Sequence, residues 1–253
     1  MRDLQDYTEK YVNKAFEDIM VKIRKKTVME NCRKYPHANI IEVGCGMSPL
    51  FEDFEDFEQM IIVEPGDLFA SNARQLAKER KMDGKVMVIH DFVENVDWNV
   101  IDRPADVDIV LVSGLLHEVD DPQKLLKQVK QLCSSETIVH INVPNAKSLH
   151  RMIAVSAGMI ADEHDRSREQ IVMQSSRTYD MELLHKEVIE AGFYVVDEGS
   201  YFLKPFTHQQ MKECIDAGII DADVMKGLEE VIRFFPNSGA EIYVNIKSEM
   251  VCE

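Results

Sequence analysis

Short apolar runs alternate with amphipathic stretches through the first 145 residues of this chain. The runs are "NIIEV" (39–43), "QMIIVE" (59–64), "KVMVIH" (85–90), "VDIVLVS" (107–113) and "ETIVHINV" (136–143). Each is four to eight residues long and rich in Val and Ile, with no polar alternation, the pattern of strands inside a parallel sheet covered on both faces. Between them "PGDLFASNARQLAKERK" (65–81) and "DPQKLLKQVKQLC" (121–133) repeat their apolar positions at helical period. The alternation predicts an α/β fold, a doubly wound and mostly parallel sheet.

At the N-terminus, Tyr7, Tyr11, Ala15, Ile19 and Ile23 recur about every four positions and predict a helical segment over 1–36. The cofactor-type α/β core then runs over 37–145. Residues 146–178, with "ADEHDRSREQ" between apolar pieces, do not continue the βα pattern and read as a cap or lid. The remainder, 179–253, completes the sheet: a helix at about 180–191 stops at Gly192, "FYVVDEGSYFL" is a strand, a helical insertion covers about 204–236, and "AEIYVNIKS" (240–248) is the last strand. Seven strands are expected in all.

Composition narrows the partners. Asp and Glu number 45 against 29 Lys and Arg, a formal charge of −16, which repels a polyanion and excludes nucleic acid as the expected partner. The densest basic stretch, "VKIRKKTVMENCRK" (21–34), reads as a solvated helix face. The five cysteines are odd in number and never form C-x-x-C, so neither a disulfide framework nor a zinc site is expected, and no metal. "MRDLQDYTEK" is no signal peptide, and no apolar run approaches the ~18 residues of a membrane span. A cytoplasmic protein, monomeric or homodimeric and without a membrane partner, is the expectation.

Candidate chemistry begins at "IIEVGCGMSP" (40–49), where a buried strand ends on Gly44 and a second glycine, Gly46, follows. In parallel α/β sheets ligands bind at the carboxyl ends of the strands, and glycines there let the backbone approach a bound group. Glu64 ends the next strand 20 residues after Gly44, where a carboxylate can accept from both hydroxyls of a ribose. A dinucleotide fingerprint needs a third glycine where Pro49 stands. An adenosine-containing ligand fits better.

These residues resemble the class I S-adenosylmethionine-dependent methyltransferases. The family's first motif, an acidic residue, a spacer and Gly-x-Gly-x-Gly, is matched by Glu42, Gly44 and Gly46, with Ser48 in place of the third glycine. Glu64 and Pro65 follow at the second strand. Asp91 and Phe92 in "HDF" stand where the family binds the adenine amine, although Asp91 could instead cap the turn "DFVEN". "VDIVLVSGLLHEVDDP" resembles the fourth strand and its loop, with Ser113 beside the cofactor. The resemblance implies S-adenosyl-L-methionine as cofactor and S-adenosyl-L-homocysteine as product. Cys45 then contributes a backbone N–H and is not a nucleophile. His117 is either a loop histidine packed on the cofactor or a general base.

"VPNAKSLHR" (143–151) and "EAGFYVVDEGSYFLKPF" (190–206) resemble a methyltransferase subgroup linked to surface-polysaccharide and other small-molecule pathways. In that light Asn145, His150, Arg151, Arg177, Tyr179 and Lys204 become candidates for an acceptor pocket, against an ordinary capping or solvated role for each. An O- or N-methylated small polar acceptor is implied, such as a phosphorylated or nucleotide-linked sugar. A nicotinamide-dependent oxidoreductase and a non-catalytic cofactor-binding scaffold are the alternatives. Pro49 and the lack of a Tyr-x-x-x-Lys pair count against the first.

Overall fold

The structure is a computed structural model that describes residues 15–101, 104 and 106–248. Seven strands form one sheet in the order β3-β2-β1-β4-β5-β7-β6: β1 (Asn39–Val43), β2 (Gln59–Val63), β3 (Val86–Ile89), β4 (Ile109–Ser113), β5 (Ile138–Pro144), β6 (Phe193–Tyr201) and β7 (Glu241–Ser248). The first five pair in parallel, while β7 runs antiparallel between β5 and β6. The doubly wound seven-stranded expectation holds.

Sequence and position agree strand by strand. β1, β2, β4 and β5 are buried along nearly their whole length because helices cover both faces. The edge strand β6 instead alternates, with Tyr194 and Val196 outward. One apolar core, including Ile41, Val63, Val110 and Ile141, lies on one face of the sheet; another, including Ile40, Met60, Ile62 and Leu111, lies on the other. Consecutive residues therefore go to opposite cores, as a strand's period of two requires.

The helices are set by local chemistry. α1 spans Glu17–Cys32, α2 Asp67–Glu79, α3 Pro122–Lys130, α4 Leu149–Ser156, α5 Arg168–Val172, α6 Met181–Glu190, α7 His208–Asp216 and α8 Ala222–Glu230. Asp121 caps α3 by accepting from the Lys124 N–H, with Pro122 at the first helical position. Asp180 caps α6, and Gly192 follows that helix at φ 81°, the left-handed conformation that stops it. The expected insertion before the last strand is α7, α8 and a short 3₁₀ turn, Val231–Phe234.

Part of the N-terminal helical expectation, including Tyr7 and Tyr11, lies outside the described residues. Among those described, a helix begins at Glu17, after Phe16, which is buried in a left-handed conformation, φ 64°. The basic stretch on this helix is a solvated face only in part: Lys22, Lys26, Arg33 and Lys34 are exposed, but Lys25 is buried and Arg24 turns inward with it. Position in the fold overrides charge here, because α1 packs beside the carboxyl ends of the central strands.

Candidate active site

Strand order reverses between β1 and β4, whose outgoing chains leave in opposite directions and open a cleft at their carboxyl ends. A cavity of about 600 Å³ occupies it, walled by α1, the loops after β1, β2, β3 and β4, the segment after β5, and the start of β7. Glu42, Gly44, Cys45, Gly46, Glu64, Pro65, Phe92, Ser113, His117, Asn145, His150, Arg151 and Lys204, all named from sequence, share this wall.

The glycine turn needs its glycines. Gly44 has φ 77° and Gly46 φ 56°, a region that side chains strongly disfavour. A Cβ on Gly44 would stand 3.3 Å from Leu115 Cδ2, inside ordinary contact distance. Two carboxylates hold the turn. Glu64 Oε2 accepts from the Gly46 N–H at 3.2 Å and Oε1 from the Gly66 N–H at 2.7 Å. Glu42 accepts from the Leu50 N–H at 3.1 Å. Burial raises both carboxyl groups above the ordinary range, Glu42 to about 7, against the backbone donors that favour the charge. Glu42 and Glu64 therefore both brace the loop. The Cys45 thiol is buried and held well above its usual pKa by desolvation, the opposite of a nucleophile's environment.

Several residues of this site carried no signal in the sequence. Lys25 Nζ donates to Ser48 Oγ at 3.1 Å and to the Pro49 carbonyl at 3.0 Å, and pairs with Asp53 at 2.5 Å, tying α1 to the glycine loop. Arg24 donates to both oxygens of Glu241 and contacts Glu17 at 3.4 Å. Tyr201 and Asn142 donate to the same Glu241 carboxylate. Burial works against charge on Glu241, but Arg24 and the Tyr201 hydroxyl hold its pKa down to about 2. The residues come from α1, β5, β6 and β7, so only the fold assembles them.

His117 sits in the loop after β4, 12% exposed at its side chain, with Nε2 3.7 Å from Glu118 Oε1. Its carbonyl accepts from Ser176 and Arg177 N–H groups, which pins the loop to the end of the 146–178 segment. That segment is structured by α4 and α5 and contributes His150, Arg151, Gln170 and Met173 to the wall.

Three sequence candidates lie elsewhere. Asp91 is not in the wall: its Oδ1 accepts from the Phe92 N–H at 2.7 Å and Asn95 Nδ2 at 2.8 Å, the turn-capping alternative. Arg177 pairs with Glu187 of α6, outside the cavity. Tyr179 is fully buried in the core, and its hydroxyl donates to Glu187 at 2.6 Å. A buried carboxylate on the outer helix thus claims both groups. Asn145 does reach the wall, yet its amide is committed to the Asn237 and Gly239 carbonyls.

Comparison with known proteins agrees with this geometry. A family model described as a methyltransferase domain matches residues 41–141, from β1 to β5. No curated protein sequence matches. Among solved structures, a SAM-dependent methyltransferase from Thermotoga maritima, described as a "possible histamine N-methyltransferase", is similar over 97% of this chain and 99% of its own, at 14% identity and TM-score 0.62. The plantazolicin methyltransferase BamL, in complex with a triazolic desmethylPZN analog and SAH, covers 93% of this chain and 88% of its own at 13% identity and TM-score 0.58. The [4+2]-cyclase SpnF shares the fold at 12% identity and TM-score 0.58, covering 90% of this chain and 80% of its own. At these identities the structures speak for the fold. The domain match over residues 41–141 and the sheet order agree with a methyltransferase-type fold, and S-adenosylmethionine is the cofactor to which that domain match points.

Proposed function

We propose that the chain transfers a methyl group from S-adenosylmethionine to an oxygen or nitrogen of a small polar molecule held in the same cavity. The observation that carries this reading is the pairing of a left-handed glycine turn with a strand-end carboxylate, Glu64, in a cavity large enough for two ligands side by side. Gly44 and Gly46 lie against the methionine end, Glu64 accepts from the ribose hydroxyls, and Pro65, Phe92 and Ser113 flank the adenosine. Carboxylates outnumber lysines and arginines along the wall, which suits a cationic sulfonium.

S-adenosylmethionine, when bound, supplies a methyl that is already a strong electrophile, so the protein's task is alignment and exclusion of water. His117, in the β4 loop that borders both halves of the cavity, takes the proton of the acceptor's hydroxyl or amine. Residues 146–178 close over the acceptor as a lid. The second-half resemblance would make that acceptor a sugar, phosphorylated or nucleotide-linked, in polysaccharide assembly.

Calorimetry with S-adenosylmethionine and NAD, followed by methyl-transfer assays over a panel of polar hydroxyl and amine acceptors, tests the proposal. Tight NAD binding without S-adenosylmethionine binding would return the oxidoreductase. Cofactor binding with no turnover across the panel would favour the scaffold reading.

A further inference from the structure

Two arginines reach the cavity wall, and they are compensated differently. Arg24 faces Glu241 and Glu17; burial opposes its charge, but Glu241 overrides it and its pKa rises well above the ordinary value. Arg151, at the third position of α4, is 8% exposed and directs its guanidinium to neutral oxygens alone: the Glu163 carbonyl at 3.1 Å and 2.7 Å, the Asp165 carbonyl, and Gln170 Oε1 at 2.9 Å. Among the described residues no carboxylate stands within 4.0 Å of it. The acids of its own loop, Asp165, Asp162 and Glu163, act only from a distance, and burial outweighs them and lowers its pKa.

A guanidinium taken out of water without a counter-charge is costly, and the cost is relieved when a bound anion supplies one. Four hydrogen bonds from five N–H groups leave one Nη1 hydrogen uncommitted, on a residue that lines the cavity. Beside it in the wall, Ser167 Oγ accepts from the Gln170 N–H at 3.2 Å and carries a hydroxyl proton of its own, a neutral donor of the kind an oxyanion requires. The carboxylates of the wall, by contrast, come from α1, β1, the segments after β2 and β3, the β4 loop and β7. The cavity is thus acidic where the cofactor is proposed to lie and carries on α4 a cation that, among the described residues, no carboxylate meets within 4.0 Å.

We propose that Arg151 docks an acidic group of the methyl acceptor, a carboxylate or phosphate ester, so that the acceptor is an anion whose nucleophilic atom lies away from its charged end. This rests on the methyltransferase reading and narrows its substrate class. The arginine then has two roles at once: its neutral contacts order residues 163–165 of the lid, and its charge selects what the lid covers.

The test uses the whole chain saturated with S-adenosylhomocysteine, titrated with inorganic phosphate and, separately, acetate, while the Arg151 side-chain N–H resonances are followed by NMR. Saturable shifts of those resonances with one or both anions are expected, and the stronger anion names the acidic group. Arg151→Gln should weaken anion binding at least tenfold and leave S-adenosylhomocysteine affinity within threefold, with Arg151→Lys between them. Unshifted Arg151 resonances in the wild-type chain would overturn the proposal whatever the variants do. So would equal anion binding in Arg151→Gln, or a large loss of S-adenosylhomocysteine affinity, which would give the charge to the cofactor's own carboxylate. Failure of S-adenosylmethionine to bind at all sinks the methyltransferase reading instead, and is measured separately.

Discussion

Replacing Glu64 by Gln removes one charge from the cofactor site and alters its brace. In the structure the carboxylate oxygens accept loop N–H groups at 2.7 and 3.2 Å, and the residue lines the cavity. A hydrogen bond to a charged group contributes roughly 1.5–3 kcal/mol, and a ribose offers two hydroxyls. Burial already raises the Glu64 pKa, so part of that attraction offsets desolvation. The expected loss is about 2–4 kcal/mol, or roughly 30- to 900-fold in Kd. Calorimetry with S-adenosylhomocysteine measures it. Gln also turns an amide NH₂ toward one of the glycine donors, so loop damage must be separated from loss of the ribose contact. A cycle with an analogue lacking both ribose hydroxyls does this, because the substitution should then cost little. An equal loss for both ligands would refute a direct ribose contact, and no loss for either would remove Glu64 from the site. Affinity should also fall as pH drops through the raised Glu64 pKa, since the protonated carboxyl accepts more weakly.

Gly44→Ala forces a side chain into φ 77° and against Leu115; a loss of about 1–3 kcal/mol in unfolding free energy, with weakened cofactor binding, is expected, and a normal urea midpoint would contradict the strained turn. His117→Ala should lower turnover by about 10²–10³ with cofactor affinity nearly unchanged, and it should abolish the acidic limb of the pH profile. Weakened cofactor binding with intact turnover would instead make His117 a packing residue. Acid should destabilise the fold in two overlapping steps, read by urea unfolding against pH. His140 is buried, donates from Nδ1 to Asn245 and has its pKa lowered by desolvation to about 4, so its contribution is complete above the unfolded value of 6.5 and is lost as pH falls toward 4. Glu241, held to about 2, adds a loss below the unfolded value of 4.5. His140→Gln should flatten the first step only, and an unchanged slope between pH 6.5 and 4.5 would assign it elsewhere. Finally, amide exchange in residues 146–178 should be faster than in β4 without ligand; equal protection would contradict a lid.

Local pattern was enough for the sheet, the glycine turn and Glu64, because each rests on chemistry within a few residues. Uniform burial of β1, β2, β4 and β5 leaves unbroken Val and Ile runs, and a left-handed turn admits little but glycine. The caps at Asp121 and Asp180 and the stop at Gly192 are equally local. Where a side chain's role depends on which partner reaches it first, tertiary structure decided. Asp91 turned back onto its own turn, and Glu187 drew Arg177 and Tyr179 away from the cavity. Arg24 and Lys25, which read as solvated, went inward because β7 and the glycine loop present Glu241 and Asp53 to that face of α1. A charge's surroundings are set by residues as far as 217 positions away in the chain, and no periodicity encodes them. For the same reason the contrast between Arg24, paired with Glu241, and Arg151, bonded to neutral oxygens among the described residues, exists only once the chain is folded.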